Sequence, residues 1–99
     1  MSRASRKKPV HLAKKLRQIR IRLDLSQNGM IGKLGLTDEI FQDYISAYER
    51  GVREPPLPVL LTYARVAGVC LDVLVDDDLK LPARLPGMPK HLRAKQPKA

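Results

Sequence analysis

Apolar residues recur at intervals of three and four positions along much of this chain, and polar residues fill the positions between them. In the first such stretch the apolar positions are Leu12, Leu16, Ile19 and Leu23. This spacing puts all four side chains on one face of a helix and predicts helix 1 over about residues 10–23. The cationic side chains of this stretch fall largely off that face, in water or against a polyanion.

The next two stretches face each other across a glycine-centred turn. Met30, Ile31 and Leu34 form the apolar stripe of the first, which predicts helix 2 over about residues 27–34 with Ser26 as its N-cap. The stripe of the second stretch, helix 3, has the spacing i, i+4, i+7 and consists of Phe41, Ile45 and Tyr48. Two short helices joined by such a turn form a helix-turn-helix, whose second helix can enter the major groove of DNA.

Two further helices are predicted beyond Gly51, which has the position of a C′ glycine after helix 3. Pro58 suits the first turn of helix 4, which should run to about Ala67. Cys70 then takes the N-cap position of a brief helix 5 over about residues 71–75. Helix 5 carries more apolar surface than five residues can hide, so we expect it to form the contact of a homodimer.

One set of residues within these predicted helices points to a known family. The set comprises Ser26-Gln27, Lys33-Leu34-Gly35, Ile45-Ser46, Tyr48-Glu49-Arg50-Gly51 and Arg53 with Pro55, then Leu57, Leu60-Leu61, Ala64, Gly68-Val69, Leu71-Asp72 and Leu74. With these residues the chain resembles the XRE family, the Cro/cI-like DNA-binding domains of phage and bacterial repressors, over about two thirds of its length. The resemblance implies an all-α, compact five-helix lambda-repressor-like domain over residues 10–79.

The sequence departs from the family pattern at the junction of helices 2 and 3. Ile31 stands where relatives usually carry a small alanine. Nine residues separate Gly35 from Ile45, where about five are usual, and four extra residues amount to about one helical turn, or ~6 Å. We expect helix 3 to be lengthened at its N-terminus, over about residues 38–50 with Thr37 as N-cap. The alternative places the extra residues in the preceding loop.

The resemblance also assigns roles to particular side chains. Arg20 and Glu49 are expected to form an ion pair between helices 1 and 3, although two independent surface charges remain the alternative. The residues expected to read base edges are Gln42, Asp43, Tyr44, Ser46 and Ala47. Amides pair bidentately with adenine and carboxylates accept from cytosine N4, as expected here of Gln42 and Asp43, although Asp43 is equally consistent with an ordinary exposed helix residue. The residues expected to contact phosphates are Ser26, Gln27, Lys33, Arg50 and Arg53, with Arg3, Arg6, Lys7 and Lys8 of the N-terminal arm.

The net charge of +9 is unevenly distributed along the chain. Residues 1–22 hold nine Lys/Arg and no acidic residue, and residues 80–99 hold six and none. The segment between them carries ten Asp/Glu against four Lys/Arg. We therefore expect a flexible basic arm over residues 1–9 and a disordered, Pro-rich basic tail over residues 80–99. Ends of this kind favour a polyanionic partner, nucleic acid before membrane, over a purely solubilising role.

Catalytic and metal-binding patterns find little support in the sequence. His11 and His91 are isolated, Cys70 has no partner by spacing, and the triplet at residues 76–78 lacks the remaining ligands of a calcium loop. No phosphate-binding glycine loop, zinc spacing or nucleophile elbow occurs. We expect a protein that is not an enzyme, with no cofactor and no metal. The absence of a long apolar run and of a secretory pattern predicts a cytoplasmic protein that does not bind membranes.

The sequence as a whole predicts a transcriptional regulator, most simply a repressor, that inserts helix 3 into the major groove of double-stranded operator DNA. A symmetric dimer would place its half-sites about one helical turn, ~34 Å, apart. One alternative is an antitoxin-like or adaptor protein whose helix-turn-helix and basic tail bind a protein partner. Another is RNA binding through the basic ends.

Overall fold

Five helices follow one another along residues 9–88, the part of the chain that the computed structural model describes. They are α1 (Leu12–Arg22), α2 (Gln27–Leu34), α3 (Gln42–Glu49), α4 (Leu57–Ala67) and α5 (Leu71–Val75). No strand occurs within that range, so the all-α class is confirmed. The bounds of four helices agree with the sequence predictions within two residues, and α3 is the exception.

The helices enclose one core, and the predicted apolar face of α1 forms part of it. Leu16 and Ile19 are completely buried in a core that also contains Tyr63 of α4 and Leu74 of α5. α1 packs against α3 and α5, and α2 packs against α3 and α4. Burying each of these large side chains stabilises the fold by ~1.5–3 kcal/mol, which is what holds helices as short as α2 and α5 in place.

The ends of the helices follow the predicted local chemistry. Ser26 caps α2, because its Oγ accepts a hydrogen bond from the Gly29 N–H at 2.9 Å. Gly51 follows α3 in the left-handed conformation, with φ of +72°, as a C′ glycine does. Pro58 lies in the first turn of α4, and Cys70 has the N-cap position of α5 without a side-chain hydrogen bond.

The prediction that helix 3 begins near residue 38 is wrong, and its alternative is correct. Residues 36–40 form a turn in which the N–H groups of Glu39 and Ile40 both donate to the Leu36 carbonyl at 3.0 Å. Phe41, not Thr37, is the N-cap residue of α3. The cause is burial of Ile40. A continuous helix would rotate Ile40 ~140° away from Ile45, off the core face, so the chain turns before α3 starts.

The same change reverses the expected position of Phe41. The periodicity placed it on the core-facing stripe, whereas its ring is 66% exposed and Ile40 is buried instead. Phe41 is the N-cap residue of α3, and in the turn that precedes the helix the Ile40 side chain enters the core in its place. Phe41 therefore stands on the surface at the start of α3.

The predicted domain boundary at residue 79 also needs correction, because residues 80–88 are packed on the helices. Leu85 and Met88 are buried in the core, and the Gly87 N–H donates to the Ala67 carbonyl at 2.9 Å. A Cβ on Gly87 would clash with the Val66 carbonyl oxygen, so only glycine permits this approach to α4. Charge and proline content suggested disorder, but two apolar anchors and one close backbone contact order the segment. Residues 1–8 and 89–99 lie outside the described part.

A second unpredicted contact joins α1 to the end of α5. Lys15, expected in water or against phosphate, is buried, and its Nζ donates to the carbonyls of Val73 at 2.7 Å and Asp76 at 3.0 Å. The last carbonyls of a helix lack intrahelical donors, so a cation there is doubly favourable. In return, the Asp77 carboxylate accepts the N–H groups of Val10 and His11 at the start of α1.

Candidate nucleic-acid interface

The candidate interface is built where α2 and α3 begin, and two glutamines connect their first turns. Gln42 Nε2 donates to Gln27 Oε1 at 3.1 Å, so the first residue of α3 is tied to the first residue of α2. Gln27 Nε2 in turn lies 3.5 Å from Glu49 Oε1, at the outer limit of a hydrogen bond. The two amides therefore form one polar edge that spans both helices.

An ion pair anchors this edge to α1. Arg20 and Glu49, which the sequence led us to pair, meet through two parallel bonds, Nε to Oε2 at 2.7 Å and Nη2 to Oε1 at 2.9 Å. Arg20 Nη1 also donates to the Leu25 carbonyl at 3.0 Å. The hydrogen bond with Glu49 raises the pKa of Arg20 above its usual value, so the guanidinium stays charged. The ion pair fixes the end of α3 relative to α1 and to the loop before α2.

A stack of three side chains covers the outer side of α3. The Arg53 guanidinium carbon lies 4.3 Å from the centroid of the Tyr44 ring, a cation–π contact. The Phe41 ring meets Tyr44 edge to face, with centroids 6.2 Å apart and planes at 76°. The loop after α3 is thereby joined to the N-terminus of the same helix. No local pattern in the sequence predicts this stack, because Arg53 and Tyr44 are separated by the turn at Gly51.

The residues expected to read bases differ in accessibility. Gln42 and Asp43 are exposed, whereas Tyr44, Ser46 and Ala47 are half-buried. Ser46 Oγ also accepts a hydrogen bond from Nε of Arg50 at 3.2 Å, a contact within one helix face. Gln42 and Asp43 are therefore the most accessible of the five, and both lie in the first turn of α3.

The residues expected to contact phosphates fall into two groups. Lys33, Arg50 and Arg53 are exposed near α2 and α3, as are Lys14 and Arg17 on α1. Ser26 is exposed too, with its hydroxyl engaged in capping α2. The arm residues Arg3, Arg6, Lys7 and Lys8 lie outside the described residues, so the structure says nothing of their position.

Part of the positive charge expected on helix 1 is used inside the protein. Lys15 caps α5, Arg20 pairs with Glu49, and Arg22 Nη1 donates to the Pro82 carbonyl at 2.6 Å. These three cations point toward protein acceptors, because folding leaves carbonyl and carboxylate oxygens beside them. Only a part of the basic character of this helix is therefore available to a polyanion.

The aspartates at residues 76–78 serve the fold. Asp76 Oδ1 accepts the Asp78 N–H at 2.9 Å, and Asp77 binds the start of α1. Those bonds from the backbone N–H groups of Val10 and His11 lower the pKa of Asp77. Between residues 9 and 88 no three His, Cys, Asp or Glu side chains are grouped as metal ligands, and no helix there is long and apolar enough to cross a membrane.

Comparison with known proteins adds no assignment: no family model, no curated protein and no solved structure matches this chain.

Proposed function

We propose that this protein is a sequence-specific DNA-binding regulator with a Cro/cI-like helix-turn-helix, in which α3 enters the major groove of operator DNA. The observation that carries the proposal is the Gln27–Gln42 bond at 3.1 Å. It holds the first turns of two consecutive helices side by side, with exposed polar groups at both. In a helix-turn-helix the N-terminal residues of the second helix meet base edges.

In this arrangement Gln42 and Asp43 read bases, and Ser46 and Ala47 border the contact. The Gln42 amide both accepts and donates hydrogen bonds, as the edge of adenine requires. Its bond to Gln27 already restricts the Gln42 side chain, so less conformational entropy is lost on binding. Gln27, Lys33, Arg50 and Arg53 contact phosphates on either side and fix the register. Phosphate contacts of this kind carry affinity without sequence information.

Binding of α3 to DNA requires positive charge from elsewhere in the chain, and we propose that the N-terminal arm supplies part of it. The segment containing α3 has a net negative charge, and a duplex carries one negative charge per ~1.7 Å. Because Lys15, Arg20 and Arg22 bind protein oxygens, α1 supplies Lys14 and Arg17 at most as freely accessible cations. The basic residues of segment 1–8 would provide the remaining compensation along the DNA backbone or in the minor groove.

The proposal includes a homodimer through α5 in the cytoplasm. Leu74 is buried and Leu71 and Val73 are half-buried in the protomer, which leaves Val75 and Leu79 as exposed apolar groups at this end. A single module that reads a few base pairs discriminates poorly, and a two-fold symmetric pair matches a palindromic operator.

The test begins with selection of bound duplexes from a random-sequence library, followed by affinity measurements on the selected site across a salt series. Gln42→Ala should relax discrimination at one or two base pairs by ~1–3 kcal/mol and leave non-specific binding nearly intact. Arg53→Ala and Lys33→Ala should weaken all sequences alike. Arg53→Ala also removes the guanidinium that covers the Tyr44 ring. Lys33→Ala is therefore the matched control, because it removes a proposed phosphate contact and leaves Tyr44 covered.

Three results would contradict the proposal. A library that yields no enriched duplex would refute sequence-specific binding. Identical behaviour of Gln42→Ala and Arg53→Ala would show that α3 does not lie in the groove as proposed. Equal affinity for structured RNA and duplex DNA would favour the RNA hypothesis.

A protein partner remains the second candidate function, and one observation favours it. Leu57 and Leu61 are both exposed and lie one turn apart on α4. An antitoxin-like or adaptor protein would use such an apolar pair. This function predicts that Leu57→Ala and Leu61→Ala abolish binding of the partner. DNA binding by the same variants should have the affinity and the salt dependence of the wild type.

A further inference from the structure

Phe41 is an apolar ring on the polar surface that faces the proposed DNA. It is the residue before the first turn of α3, directly beside Gln42, and most of its surface is accessible. Ile40, its neighbour, supplies the aliphatic group that the core requires at this point. Packing of the core therefore does not explain the aromatic ring at position 41.

The ring is held in a defined orientation although it is exposed. Tyr44 supports it edge to face, and Arg53 covers the Tyr44 ring in turn. The backbone of Phe41 is extended, with φ of −119° and ψ of 171°, and this directs the chain into α3. An aromatic side chain fixed in this way loses little conformational entropy when a ligand contacts it.

The chemistry of the major groove limits what such a ring can recognise there. Base edges in the groove present hydrogen-bond donors and acceptors, and the apolar group among them is the C5-methyl of thymine. Phe41 has no polar atom with which to pair a donor or acceptor. A methyl group beside the base pair contacted by Gln42 is the complementary surface.

We infer that Phe41 is a specificity-determining residue that contacts the 5-methyl group of a thymine adjacent to the base pair read by Gln42. This inference rests on the proposed function, since it requires α3 in the major groove. It assigns sequence preference to a residue in the turn created by the extra residues between α2 and α3. The stack of Phe41, Tyr44 and Arg53 then joins a base contact to a phosphate contact.

The experiment replaces thymine by deoxyuridine, one position at a time, in the duplex selected from the random library. Deoxyuridine keeps every hydrogen-bonding group of thymine and removes only the methyl. Wild-type protein should lose about fourfold in affinity at the contacted thymine, the value expected for one buried methyl group. Phe41→Ala should bind thymine and deoxyuridine duplexes equally, whereas Phe41→Leu, which keeps an apolar side chain, should retain part of the discrimination.

Ile21→Ala is the matched control, because Ile21 is also an exposed apolar residue but lies on α1. It should keep the full thymine preference. Melting temperatures of all variants, measured alongside, should stay close to that of the wild type because both side chains are exposed. A Phe41→Ala protein that no longer folds would be replaced by Phe41→Gln, with the same expectation.

The outcomes separate this inference from the function on which it rests. If a specific duplex is bound and Phe41→Ala discriminates thymine from deoxyuridine as the wild type does, the inference is overturned and the proposed function stands. If no single deoxyuridine substitution lowers the affinity of the wild-type protein, the inference is likewise overturned. Tighter binding to single-stranded DNA that depends on Phe41 would assign the ring to base stacking and overturn it as well. If no duplex is enriched, the proposed function itself fails.

Discussion

Disruption of the Arg20–Glu49 pair should strongly destabilise the fold, and by unequal amounts for the two partners. The side chains are 15% and 4% exposed, so both charges are largely removed from water. Removal of one partner leaves the other charge uncompensated, for which ~3–5 kcal/mol is typical. The bidentate geometry, with bonds of 2.7 and 2.9 Å, adds to the loss.

The surroundings of each group decide which single substitution is worse. Without Glu49, Arg20 keeps its bond to the Leu25 carbonyl and its greater access to water. Without Arg20, Glu49 keeps only the long contact from Gln27 at 3.5 Å among its described hydrogen bonds. Arg20→Met should therefore lower the free energy of unfolding by an amount near the upper end of ~3–5 kcal/mol, and Glu49→Leu by an amount nearer the lower end. The double variant should recover much of the loss, because no charge remains buried.

Urea denaturation of the four proteins measures this cycle, since urea does not screen charges as guanidinium salts do. Arg17→Met is the control, because Arg17 is exposed on the same helix and should change the free energy of unfolding by less than ~0.5 kcal/mol. Because the double variant should be more stable than either single variant, the coupling energy should exceed the larger single effect, ~5 kcal/mol. Additive effects below 1 kcal/mol each would refute the reasoning.

Other predictions address the termini and the pH dependence. Leu85→Ala should destabilise the fold by ~2–5 kcal/mol, whereas Leu79→Ala, at an exposed position, should have little effect in the same denaturation assay; equal effects would mean that the tail does not pack as described. The lowered pKa of Asp77 means that its contribution to stability is present above the unfolded value of ~3.9 and is lost as pH falls through the folded pKa. The stability difference between wild type and Asp77→Asn should shrink below about pH 4. Deletion of residues 1–8 should lower the slope of log K against log salt by about 3.6, from 0.9 for each of four phosphate contacts, without changing the melting temperature. An unchanged slope would favour a protein partner.

Local signals in the sequence account for most of the helical framework. The apolar spacing of Leu12, Leu16 and Ile19 predicts α1, because one helix face must be buried. Ser26 as an N-cap acts through backbone groups within three residues of itself, so neighbouring residues suffice to predict it. The Arg20–Glu49 contact, which spans 29 positions, was expected only from the family resemblance.

The start of α3 shows where local pattern fails. Phe41 and Ile40 are adjacent apolar residues, and only Phe41 has the helical i, i+4 spacing to Ile45, so the local pattern favours the residue that the structure leaves exposed. The choice between them depends on which side chain fills the space beside Ile31 and the other core residues. That space exists only once the helices are packed.

The sequence by itself determined the number of helices, most of their ends and the uneven distribution of charge, since each depends on residues within a few positions of one another. Tertiary structure alone decided the partners of Lys15 and Asp77, the burial of Leu85 and the exposure of Phe41. These contacts join residues far apart in the chain, and their energies depend on distances that no local pattern specifies. The basic residues of helix 1 are alike in sequence, but the fold places carbonyl or carboxylate oxygens beside some of them and leaves others in water.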